Sequence, residues 1–139
     1  MGAKMGTQDF VSVNFPDKAW LEKAFPSIGE AYLESPEKGI LELRKLYNSF
    51  SNLSSAELTN IGLGAAYFDD YDFAIEAMKK STELNVRRLW KIWLPVMRDT
   101  RKTTGFKKFM REIGLVDYWK EYGWPDLCHP AGDDDFMCD

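Results

Sequence analysis

Apolar residues return every three or four positions along most of this chain, and few stretches alternate with period two. The pattern predicts helices, with Pro, Gly and capping residues marking their ends. Asp17 can cap a helix over KAWLEKAF that places Trp20, Leu21 and Phe25 on one face and ends or kinks at Pro26. Ser27-x-x-Glu30 is a capping box, in which side chains at both ends satisfy free backbone N–H groups. It opens a helix through Ile28, Ala31, Tyr32 and Leu33. Ser35-Pro36 starts the next helix, which runs to about Ser51 with Ile40, Leu41, Leu43, Leu46 and Tyr47 as a broad apolar face. A second box, Ser54-x-x-Glu57, opens a helix carrying Leu58, Ile61, Gly62 and Ala65. After the acidic break Asp69-Asp70, a partner helix carries Tyr71, Ala74, Met78 and Ser81.

Further on, Leu89, Trp90, Trp93, Val96 and Met97 are spaced for one helical face, which Pro95 kinks or divides. Trp90 and Trp93 read as a lid over the helices before them. Thr104 can cap a helix with Phe106, Phe109, Met110 and Ile113 turned to the core, and Gly114 can stop it. Val116, Tyr118, Trp119 and Tyr122 form one more short helix, stopped by Gly123. The final stretch, with Pro125, Pro130 and Gly132, reads as an irregular tail, and residues 1–16 as a disordered leader.

The alternation of bulk within residues 54–85 resembles the tetratricopeptide (TPR) repeat. Leu58 takes its first large position, Ile61-Gly62 its Leu-Gly pair, Ala74 the small position of its second helix and Met78 the Phe position. Ala65 stands where the repeat has an aromatic, and Val86 where it has Pro. Upstream, Ile28-Gly29 and Tyr32 match the same positions, followed by Gly39 and Leu43. Gly29 to Gly62 is 33 residues and Gly39 to Ala74 is 35. Small residues let two antiparallel helices approach closely, which is the physical content of the pattern.

The last third is similar to the C-terminal end of bacterial TPR proteins, often those fused to winged-helix transcription regulators or adenylate cyclases. The residues that carry this are Trp93-x-Pro95, Arg98, Phe106, Gly114-Leu115, Tyr118-Trp119, Trp124-Pro125-Asp126-x-Cys128 and Phe136-x-Cys138. The two resemblances together imply an all-α fold. It would be two TPR-like hairpins in a right-handed α-solenoid over residues 17–102, joined in one structural domain by a helical cap and tail over 103–139. They imply a protein-interaction module that binds a peptide of a partner protein, and neither the DNA-binding nor the cyclase activity. The inner curve of such an array is lined by the first helix of each repeat. It is expected to present Glu30, Leu33, Thr59, Asn60, Leu63 and Tyr67 to the partner. Asn60 stands where some TPR proteins hold a peptide carboxylate, but Pro26 and Glu30 occupy the places of the accompanying lysines. The alternative is a ligand-sensing regulatory domain, with a small molecule among the C-terminal tryptophans and Arg98 and Arg101 converging on it.

Composition narrows the field. A chain of 139 residues, 45% hydrophobic and 14% aromatic, can bury a real core. No apolar run is long enough to span a bilayer, and the first residues lack the apolar segment of a secretion signal. Net charge is −4, but Lys79 to Glu112 holds eleven Lys/Arg against three acids, and the rest seven against nineteen. Such a basic stretch, interleaved with Trp90, Trp93 and Phe106, is one route to nucleic acid. The acidic total and the helical spacing of those aromatics argue against it.

Enzyme chemistry finds little support. His129 is the one histidine, and no G-x-S-x-G, phosphate loop or H-E-x-x-H occurs. Asp69, Asp70 and Asp72 read as solvated turn carboxylates. Cys128 and Cys138 are open to three readings: free thiols, metal ligands with His129 and Asp133 to Asp135, or a disulfide that would point to an oxidising compartment such as the periplasm rather than the cytoplasm. The expectation is a non-enzyme with no cofactor and no metal.

Overall fold

The computed structural model describes residue 30 and residues 33–49 and 51–139. The chain is mostly helical there. The helix expected over 17–25, the Ser27 cap and the Ile28, Gly29 and Tyr32 positions of the upstream repeat lie outside the described residues, as does the leader.

Helix α1 spans Pro36–Ser49 and buries Gly39, Leu43, Leu46 and Tyr47. Ser35 caps it, accepting from the Lys38 N–H at 3.2 Å, with Pro at the first position, where its missing N–H costs nothing. Helix α2 is Ser55–Tyr67 and α3 is Tyr71–Leu84. Ser54 Oγ accepts from the Glu57 N–H at 3.1 Å, and Asp70 Oδ1 from the Phe73 N–H at 3.2 Å, so each helix starts on a side-chain acceptor. Asp69 makes the turn between them in the left-handed region, at φ 64°. Short polar side chains tolerate that region better than most.

The α2–α3 hairpin crosses where the small residues stand. A methyl group built on Gly62 would lie 2.9 Å from Met78 Cγ and 3.1 Å from the Ala74 carbonyl oxygen. Ala74 is fully buried. Ala74→Leu is therefore expected to cost about 1–3 kcal/mol through overpacking. Gly62→Ala should cost less, because the roughly 1 kcal/mol gain in helix propensity offsets part of the clash. Urea unfolding of both variants checks this, and a neutral Ala74→Leu would show a loose crossing. Helix α1 packs on α2 and is tied to α3 by Arg44, whose guanidinium sits 3.9 Å from the Phe73 ring centre and 2.8 Å from the Glu76 carboxylate.

Residues 86–102 differ from the expected α-helices. They form successive 3-10 turns at Val86–Trp93, Pro95–Met97 and Thr100–Lys102. Asn85 Oδ1 caps the first by accepting from the Arg87 N–H, and Pro95 opens the second. The apolar spacing of this tract is met equally by tight turns that break at Leu94 and Asp99. Helix α4, Thr104–Glu112, is capped by Thr103 rather than Thr104, through the Phe106 N–H at 3.2 Å. It buries Phe106, Phe109 and Met110 but leaves Ile113 37% exposed. Gly114, at φ 82°, turns the chain into α5, Leu115–Tyr122.

The tail is not irregular. Strands β1, Cys128–Pro130, and β2, Phe136–Cys138, pair antiparallel with Cys128 opposite Cys138, and the two cysteines form a disulfide. One apolar cluster runs from Leu43 to Cys138.

Candidate functional site

The residues expected on an inner groove part company in the structure. Glu30 and Leu33 are exposed, Leu33 at 80%. Asn60 and Tyr67 are half-buried, and Tyr67 sets its ring 5.6 Å from that of Phe68. Thr59 and Leu63 are each 1% exposed, so neither is a surface group. Thr59 Oγ1 donates to the Ser55 carbonyl at 2.9 Å and lies 2.6 Å from Ser81 Oγ. Ser81 Oγ also reaches Ser55 Oγ at 2.9 Å. These three hydroxyls close the open end of the hairpin, and Thr59 is used up there. Leu63 is buried because the expected groove is filled: the Val86–Trp93 and Pro95–Met97 turns both pack on α2, with Ile92 and Met97 each 1% exposed.

The C-terminal tryptophans are likewise occupied with one another. Trp119 lies 6.1 Å from Trp93, 5.7 Å from Trp124 and 6.0 Å from Phe136, ring centre to ring centre. Trp124 and Phe136 are 5.6 Å apart. Aromatic rings at these separations attract through their offset or edge-on quadrupoles. Trp90 takes no part as a lid, being 55% exposed with Lys91 Nζ 4.5 Å from its ring centre. With Phe106 buried and Trp93 engaged, the basic tract keeps one open ring rather than the row of platforms that single-stranded nucleic acid uses.

Arg101, expected to converge with Arg98 on a ligand, is instead committed to the fold. It is 4% exposed and spends its guanidinium on three main-chain oxygens: Nε donates to Asp139 O at 2.6 Å, and Nη1 to Ile92 O at 2.8 Å and Leu94 O at 3.0 Å. Burial, and secondarily Arg98, pulls its pKa below the usual arginine value. It joins the end of β2 to the tract over α2 and does not converge with Arg98, which is exposed, on a ligand.

Charges fix the tail from outside. Asp135 accepts from the Phe136 N–H at 2.8 Å and pairs with Lys107 at 3.1 Å and Arg111 at 3.4 Å. The backbone bond first, then Lys107, holds its carboxyl below the usual range. Lys79 and Glu112, 2.6 Å apart, tie α3 to α4, and the hydrogen bond between them raises the one pKa and lowers the other.

An open aromatic pair lies on α5. Tyr118 and Tyr122 stack with centres 4.8 Å apart and stand 56% and 69% exposed, while Val116 and Trp119 of the same helix face inward. Among the described residues no helix is long and apolar enough to cross a membrane, and no group of three or more His, Cys, Asp or Glu is placed to hold a metal ion. No protein-family model, curated protein or solved structure matches this chain.

Proposed function

We propose that this chain is a non-catalytic protein-interaction module of the TPR-like helical type, which engages a segment of another protein through α5. The carrying observation is the exposed, mutually stacked Tyr118–Tyr122 pair. Tyr is a frequent anchor at interfaces because it brings large apolar area, a polar tip and little rotamer entropy. Support for the solenoid arrangement comes from the tight Gly62–Ala74–Met78 crossing, at the positions where the repeat has its small and large residues. The ligand-sensing alternative is disfavoured by the mutual packing of Trp93, Trp119, Trp124 and Phe136 and by the engaged Arg101.

Comparative capture from the source-cell extract tests the reading. Tyr118→Ala/Tyr122→Ala is expected to lose partner proteins that the parent chain retains, with stability changed by less than about 1 kcal/mol because both rings are largely in water. If the double variant captures the same proteins, α5 is not the interaction face.

A further inference from the structure

Among the described residues two patches of opposite charge make no ion pair, a basic one with Arg87 exposed and Arg88 and Lys91 half-buried, and an acidic one that is exposed. The first follows the end of α3. Leu84, Val86 and Trp90 are 63%, 64% and 55% exposed. In a 3-10 helix residues three apart eclipse one another. Arg87 and Trp90 therefore form one ridge and Arg88 and Lys91 the next, while Leu89 and the buried Ile92 turn inward. None of Arg87, Arg88 and Lys91 makes an ion pair among the described residues.

The second patch is the outer face of α5. At 100° per residue, Asp117, Glu121, Tyr118 and Tyr122 fall within a sector of about 140°, and Lys120 lies outside it. All four are exposed. Asp117 and Glu121 also make no ion pair among the described residues. Each patch thus offers aromatic area edged by charge, and each charge set is the complement of the other. Among the described residues no ion pair joins the two patches within one chain.

We propose that this chain self-associates head to tail, the basic Val86–Lys91 patch of one copy seating on the acidic, aromatic α5 face of the next. The inference rests on the reading of α5 as an interaction face and names a second copy as its occupant. Complementary potentials steer such an encounter and fix its register. Because the two surfaces differ, the contact is heterologous and does not close on itself at the dimer. Patches this small belong with weak interfaces, below about 1,200 Å² of total buried surface.

Sedimentation of the full chain up to about 1 mM provides the test, a range suited to weak association. The parent chain should rise in mass with concentration without levelling at the dimer. R87Q/R88Q/K91Q and D117N/E121Q, which remove the charges without reversing them, should each lower the association constant at least about tenfold. Mixed one to one, they should form a dimer and nothing larger, because the pair retains one intact patch of each kind. Raising sodium chloride from roughly 0.05 to 0.5 M should weaken the parent's association by a similar factor, a measurement that needs no variant. A parent chain that stays monomeric, a mixture that fails to pair, or salt-insensitive association overturns the proposal. A monomeric parent whose Tyr118→Ala/Tyr122→Ala variant still loses a foreign partner would leave the α5 reading standing and remove only the second copy.

Discussion

Arg101→Met is expected to destabilise the fold by about 3–5 kcal/mol. Methionine keeps much of the stem and its packing, so the loss isolates the guanidinium. Three main-chain oxygens, of Ile92, Leu94 and Asp139, would lose their donor at once. Backbone carbonyls cannot be exchanged for apolar groups, so no compensating change is open to them. Each one left dry costs about 1–3 kcal/mol, reduced where water can enter. Arg101→Lys should recover part of the loss, since an ammonium has donors but no planar fork to span separate acceptors. Chemical unfolding of the three proteins measures the series. Equal midpoints for parent and Met variant would show that water replaces the guanidinium without penalty.

Removal of the Cys128–Cys138 bridge is the second large effect. The bridge closes a loop of sequence separation 10. A loop of that size restrains the unfolded chain by about 2–3 kcal/mol. Cys128→Ser/Cys138→Ser, or simple reduction, should lower stability by that amount. It should also shift tryptophan emission, because Phe136 of β2 packs on both Trp119 and Trp124. An unfolding midpoint that ignores reductant would mean that Phe136 and Arg101 hold the tail alone. The two effects should combine less than additively, since Arg101 grips Asp139, the residue next to Cys138.

The α2–α3 hairpin was legible because its signals are local and redundant. Ser54 announces the start of α2, the acidic Asp69-Asp70 break marks the corner, and Gly62, Ala74 and Met78 fix the crossing. The groove was misread for a reason visible in the same residues. From Leu58 to Ala66 helix α2 has almost no polar face, and a helix apolar all round is covered on every side. Thr59 and Leu63 could not be outward groups on such a helix, and residues 86–97 supply the cover. Strands of three residues are too short to show a period, so the tail hairpin left no pattern. Arg101 sits in a basic run where a solvated side chain is the ordinary expectation, and nothing local marks it apart. Tyr118 and Tyr122 were placed on the right helix, but their exposure depends on which face Trp119 claims.

The spacing of these contacts along the chain bears on the order in which they form. Helices α2 and α3 meet across a three-residue corner, so their pairing closes a short loop and can come first. The bond from Arg101 to Asp139 spans 38 positions, and that from Lys79 to Glu112 spans 33. Such distant pairings reward the chain only after much of it is already arranged. The docking of the tail by Arg101 is therefore expected to follow the closing of the α2–α3 hairpin.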